Sequence, residues 1–321
     1  MILRTIKKLI LTNCILLLVC LTSTLYAVDY FIPHHEVGSS AKMIGIGQIE
    51  GFDNSSASVF NNPAGLYKIN QLSFSAFQTQ FLESLNYLNL STAVDTNWVN
   101  IGLGYMQLSV DNIPHTAIDN DTKHYYVVDY YKYSNSVIKA AISYSFFNSL
   151  HFGLGFNMYS TKLKDVNGSA MSLDFGMIYN SKNWDLATNI KNIPAMGSEI
   201  SYSDNTKETL PLQLTLSHRY SLTQDINLYS QLKKSTFSEG SHKTSILKHL
   251  GVEYKPVWLN RLAYISFGYR DFYVLDGIKD NVVLGFGLEL PVFQIHLSFE
   301  KSDYHLKDNK FYLSIAYGNN D

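Results

Sequence analysis

Charge is the first thing this chain is short of. Only 16% of its 321 residues are Asp, Glu, Lys or Arg, against about a quarter in an ordinary soluble domain, so its surface must be unusually poor in charge. The net charge of -2 gives no electrostatic case for binding nucleic acid. Past the N-terminal run at Leu9 to Leu21 there is no further apolar stretch long enough to cross a bilayer as a helix. That gap, with a mean hydropathy of -0.06, excludes a helical membrane protein. Both cysteines, Cys14 and Cys20, lie in the first 27 residues. Arg4, Lys7 and Lys8, the apolar run and Leu25-Tyr26-Ala27 have the layout of a cleaved signal peptide over residues 1–27. Val19 is too bulky to precede a lipid-bearing Cys20. The mature chain is therefore expected to begin near Val28, without lipid, disulfide or thiol chemistry.

Catalytic signatures are missing too. No Gly-x-Ser-x-Gly, phosphate-binding Gly-rich loop or His-Glu-x-x-His occurs. His34-His35 is half a metal site at best, since zinc wants three or four ligands at defined spacing. Asp129 and Asp174 are candidate acids and His218 a candidate base, but no spacing joins them. The reading is a non-enzyme with no catalytic residue, metal or cofactor.

What the chain does have is aromatic residues, 23 Tyr and 18 Phe, and period-2 alternation. Leu150, Phe152, Leu154, Phe156 and Met158 alternate with small or polar residues, as do Leu210, Leu212, Leu214 and Leu216. The same holds from Val282 to Leu290, Phe293 to Phe299 and Phe311 to Tyr317. Alternation puts one chemistry on each face of a sheet. Its span of about ten residues is what a tilted strand needs to cross a hydrocarbon layer. Fifteen candidate strands can be marked between residues 71 and 318. Single-chain bacterial barrels have even strand numbers, and HYYVVDYYKY at 124–133 lacks clean alternation. Assigning that stretch to an outer loop leaves an all-β, antiparallel transmembrane barrel of about 14 strands. Tyr159, Tyr179, Trp184, Tyr220, Tyr254, Trp258, Tyr269, Tyr304 and Tyr317 fall near strand ends, where an interfacial aromatic girdle is expected. Gly153, Gly155, Gly285 and Gly287 fall on the opposite face from the large apolar residues, where they would make room in the lumen.

Residues 28–69 precede this array and share none of its periodicity. Within them Gly38 to Leu66 is rich in small residues, with Gly45 and Gly47 at its centre and Phe60-Asn61-Asn62-Pro63-Ala64-Gly65-Leu66 at its end. Pro63 disfavours helix at Asn62, and Asn and Gly suit a turn into the first strand. Irregular backbone at membrane depth has to be shielded inside a lumen, so an internal plug is expected over 28–69 and the barrel over 70–321. The Gly-Ser-Ser-Ala start, Gly45-x-Gly47 and the run to Leu66 resemble the N-terminal signature of the PorV/PorQ family, within the wider FadL-like group. The stretches Tyr133 to Tyr144, Met171 to Tyr179 with Asn189 to Ile193, and Gly268-Tyr269-Arg270 are similar to that family's strands. The resemblance implies fourteen strands, a plug carrying the residues just named, and a place in the outer membrane of a Gram-negative-type bacterium. Two functions are compatible with it. One is passive, FadL-like uptake of hydrophobic small molecules. The alternative is a non-transporting adaptor that handles secretion-system proteins. Outer-membrane lipid is the expected surround in both.

Overall fold

The computed structural model describes residues 37–81, 84–119, 121, 124–194, 199–235, 246–274, 277–301 and 309–318. The expected signal peptide over 1–27, His34, His35 and Tyr304 lie outside the described residues. The strands are β1 (Leu72–Phe81), β2 (Leu85–Asp95), β3 (Asn100–Ile118), β4 (Tyr125–Phe147), β5 (Leu150–Leu163), β6 (Val166–Asn180), β7 (Trp184–Pro194) and the short β8 (Glu199–Tyr202) and β9 (Lys207–Thr209). They continue as β10 (Gln213–Ser221), β11 (Ile226–Ser235), β12 (Ile246–Tyr254), β13 (Ala263–Val274), β14 (Gly277–Glu289), β15 (Phe293–Glu300) and β16 (Lys310–Gly318). Each long strand pairs antiparallel with the next, β7 pairs with β10, and β1 closes onto β16 from Ser73↔Gly318 to Gln78↔Leu313. Setting aside β8 and β9, which form a side hairpin on β6, the ring is a closed barrel of fourteen strands. Closure leaves no open ladder along the membrane-spanning part, the one way a sheet can stand in lipid.

Alternation along the strands becomes inside and outside. In β16 Phe311, Leu313, Ile315 and Tyr317 are exposed, and Tyr312, Ser314 and Ala316 are buried. Three expectations need correction. First, 124–133 is not a loop: Tyr125–Phe147 is one strand of 23 residues. The last β3 residue paired with β2 is Val110, and the first β4 residue paired with β5 is Tyr133. Beyond them β3 and β4 pair only with each other, with bulges after Val110 and after His115. This ribbon is exposed on both faces, so no buried face selects an alternating sequence and the pattern fades. Second, Leu210 does not face outward. It precedes β10 and is buried in the interior cluster, while Leu214 and Leu216 do alternate outward between buried Gln213, Thr215 and Ser217. Third, Tyr159 belongs to no girdle: it is buried, and its hydroxyl donates to Asn192 Oδ1 at 2.6 Å. Tyr179, Trp184, Tyr220, Tyr254, Trp258 and Tyr317 do sit near the end of the barrel at which β1 begins and β16 ends.

The outer face sets a depth test. Leu297 is exposed and lies between two other outward apolar residues, Phe286 and Leu313, whereas Leu214 pairs with Lys234 near the far end of its strand. Leu297→Arg is expected to destabilise the folded barrel by about 2–4 kcal/mol, and Leu214→Arg by about 0–1 kcal/mol. Equal losses in denaturant titrations from lipid vesicles would show that the apolar band is centred elsewhere.

Candidate functional site

Residues 37–69 lie inside the ring of strands and are almost entirely buried. They form a short helix α1 (Ala41–Gly45), a single turn α2 (Ser58–Asn61) and a 3-10 helix over Pro63–Lys68. Local sequence chemistry explains each. Ser40 caps α1, its Oγ accepting from Met43 N at 3.2 Å. Asn62 is extended, as a residue before proline must be, and its Oδ1 accepts from Ala64 N at 3.0 Å while Pro63 occupies the first 3-10 position. The sequence motif thus opens a 3-10 helix, and β1 follows only after Ile69.

The segment follows the inner wall. Ala41 N donates to Ser314 Oγ at 3.1 Å and Ala41 O accepts from Ser298 Oγ. A ring nitrogen of His249 lies 2.7 Å from Gly47 O, and Glu50 N donates to Gln231 Oε1 at 2.8 Å. Asn189 bonds Asn61 O, Asn62 Nδ2 donates to Thr188 O at 3.0 Å, and Ser143 Oγ donates to Ala64 O at 3.0 Å. Non-helical backbone leaves N–H and C=O groups without ladder partners. Here wall side chains supply many of those partners. Two ion pairs add charge to the seating: Lys42–Glu289 at 2.7 Å and Glu50–Lys191 at 2.8 Å. Lys68 ends the segment, its Nζ donating to Gly51 O and Asp53 O at 3.3 Å, and its pKa is pushed down to about 7, first by burial and then by the charges of Arg219 and Lys42.

Wall glycines make the close approach possible. A Cβ at Gly153 would land on the Pro63–Ala64 backbone, at Gly176 on the Asn62 amide, and at Gly104 on the Phe60 ring. At Gly102 it would meet the Leu66 methyls, at Gly251 the Ile46 carbonyl, at Gly268 the backbone of Gly47, and at Gly285 Gly45 Cα. Gly47 itself has φ +88 and is wedged against Leu250 O and Tyr269 O, so both its angle and its space demand glycine. The structure therefore brings Gly45, Gly47, Phe60, Asn61, Asn62, Pro63, Ala64, Gly65 and Leu66 into one layer against β3, β4, β5, β6, β7 and β12–β14. Of the four strand glycines noted in sequence, Gly153 and Gly285 receive the segment, while Gly155 faces Asp174 and Gly287 faces Tyr264 and His296. Lys42, Glu50, Lys191 and Glu289 escaped sequence reading: the partners are far apart in the chain and no local pattern marks them.

The lumen wall is not uniform: apolar side chains are few on one part of it, and on the other they share the wall with polar ones such as Asn89, Asn135, Lys139 and Asn157. On β7 and β10–β15 the buried inward residues are mostly polar, among them Lys191, Gln213, Lys233, His249, Arg270 and Glu300. On β1–β5 they include Phe77, Tyr87, Met106, Leu108, Val137 and Tyr159, a cluster that joins Ile44, Val59, Phe60 and Leu66 of the segment. Phe77 stands edge-on to Tyr87 at 5.8 Å and stacks on Tyr312 at 6.1 Å. Tyr87 also donates to Gly38 O at 2.8 Å, tying the start of the segment to that side. The same cluster includes Ile200 of β8 and Leu210, the residue after β9, toward the far end.

The candidate acids and base do not meet. Asp174 is engaged by Lys139 and Asn157 within the lumen, Asp129 pairs with His115 at 2.7 Å on the exposed ribbon, and His218 lies by the Trp184 ring at 6.4 Å. Among the described residues no group of three or more His, Cys, Asp or Glu could hold a metal ion.

No family model and no curated protein matches this chain. Solved structures do. It is similar to the toluene transporter TodX of Pseudomonas putida, with 12% identity over 88% of this chain and 98% of that one and a TM-score of 0.64. It is also similar to the toluene transporter TbuX of Ralstonia pickettii, with 11% identity over 87% and 97% and a TM-score of 0.58. These likenesses show that the chain shares the fold of those transporters; they do not reach the PorV/PorQ resemblance. Both neighbours are transporters, not enzymes.

Proposed function

We propose that this protein is an outer-membrane channel for passive uptake of hydrophobic small molecules, with residues 28–69 as its plug and residues 70–321 as its barrel. One observation carries this reading. The apolar and aromatic cluster on β1–β5 runs from the segment at Phe60 and Leu66 to Ile200 and Leu210 near the far end. Its members are packed against one another; parting them would line an apolar path for a solute, and the toluene transporters that share the fold give such a path a use. Within this reading the chain is a FadL-like barrel of the PorV/PorQ kind. Its outward leucines and phenylalanines face outer-membrane lipid, and the far end faces the cell exterior.

Uptake of radiolabelled toluene by cells making the protein is expected to exceed that of cells lacking it, with uptake of glucose unchanged. No gain for toluene or for a long-chain fatty acid would end the transport reading. The division of the chain has its own check: the mature protein should begin near Val28, and an intact mass showing an acylated Cys20 would overturn the signal-peptide assignment.

A further inference from the structure

We infer that the β8–β9 hairpin is a hinged lid over the far end of the apolar side of the lumen, opening to admit solute; this rests on the uptake reading. The hairpin is braced within itself. Glu199 pairs with Thr209, Ile200 with Glu208 and Ser201 with Lys207, the Lys207–Glu199 ion pair spans 3.0 Å, and Tyr202 donates to Glu208 at 2.6 Å. Asp204 holds the turn through Thr206 N at 3.0 Å. Its attachment to the wall is slight by comparison. Two residue pairs join it to the tip of β6, Gly168↔Tyr202 and Ser169↔Ser201, with Ser203 N donating to Asn167 O at 2.8 Å just beyond them. The β1–β16 ladder, by contrast, runs over six pairs. A unit stiff inside and docked on β6 along one short edge can leave that edge as a body, swinging on its chain connection through Leu210, Pro211 and Leu212 to β10.

Its two faces differ as those of a lid should. Ser201, Asp204, Asn205, Thr206 and Lys207 are exposed, whereas Ile200 is fully buried in the cluster that contains Tyr159 and Leu210. Tyr202 lies flat on Gly168, where any Cβ would strike its ring. Lifting the hairpin withdraws Ile200 from that cluster and exposes apolar surface. An apolar solute can replace the lost contacts and a polar one cannot, so the lid selects for the solute class the lumen suits.

The mature chain carries no cysteine of its own, so a cross-link can be placed cleanly. Ser169 and Ser201 are small, exposed and directly opposed across an antiparallel pair, a separation a disulfide spans. Cells carrying S169C/S201C should take up toluene at the unmodified rate when reduced, and no faster than barrel-free cells once oxidised. Unchanged uptake with the disulfide confirmed by mass would overturn the lid. Should the unmodified protein show no uptake at all, the uptake reading fails and the lid is decided by labelling. Thr161, buried opposite Gly168, is replaced by Cys and treated with a water-soluble maleimide, with and without Gly168→Val to prop the hairpin. Labelling about tenfold faster in the propped variant is expected if local opening limits access, and equal rates would overturn the lid.

Discussion

Deleting residues 38–60 is expected to turn a barrel that is silent in planar bilayers into one that conducts ions continuously. The deletion removes no strand, since β1 begins at Leu72, so the closed ladder from β1 to β16 is untouched and insertion should proceed. What it removes is the layer that fills the ring. Lys191 loses Glu50, Arg270 loses Gln48, and His249 and Gln231 lose their contacts with the segment backbone. Lys191 is left as a buried charge without Glu50, which is costly in a dry interior, while Arg270 keeps Glu300; all four sit on the polar side of the lumen, so water takes the vacated space. A fourteen-stranded ring is well beyond the eight strands whose lumen side chains alone can fill. If the truncated barrel inserts and stays silent, the walls and the β8–β9 hairpin close the lumen unaided, and the segment is not the plug.

How far could this arrangement be read from the sequence? The strands were legible because their two faces meet opposite media. Val282 to Leu290 and Phe311 to Tyr317 alternate cleanly for that reason, and the structure places Val283, Gly285, Tyr312 and Ser314 inside. Where the two media are not both present, legibility stops. The ribbon at 125–132 is wet on both faces, and Leu210 lies where the chain turns inward before β10, so periodicity misplaced both. The segment was legible as an interruption of the strand pattern, and Asn62-Pro63 as the opening of a turn, because capping and proline constraints are local. Its seating was not. Lys42 and Glu289 are 247 residues apart, Ala41 and Ser314 273, and only the closed register of fourteen strands brings them together. Gly153 and Gly155 look alike in sequence, yet one faces segment backbone and the other faces the Asp174 and Lys139 side chains.

That difference makes the sharpest test of the seating, because it leaves the segment intact. In Gly153→Val the new Cβ would meet the backbone of Pro63 and Ala64, atoms that no rotamer change can move aside. Val favours strands, so β5 itself is not weakened, and the strain falls on the segment. Overpacking of this kind costs about 1–3 kcal/mol, and backbone-on-backbone conflict belongs at the upper end, which shifts the seated-to-unseated ratio by about a hundredfold. Because Pro63 and Ala64 open the 3-10 helix, displacing them should pull Asn62 away from Thr188 O and carry along that helix. Single-channel records are therefore expected to show frequent openings in Gly153→Val, with the insertion yield unchanged. Gly155→Ala is the control: its nearest neighbours are Asp174 Cβ at 3.3 Å and Lys139 Cε at 3.7 Å, a tight fit within the wall that touches no residue of the segment. It should remain as quiet as the unaltered protein. Two equally quiet variants would mean that the segment yields locally without leaving the wall, and that the glycines fit it closely without holding the lumen shut.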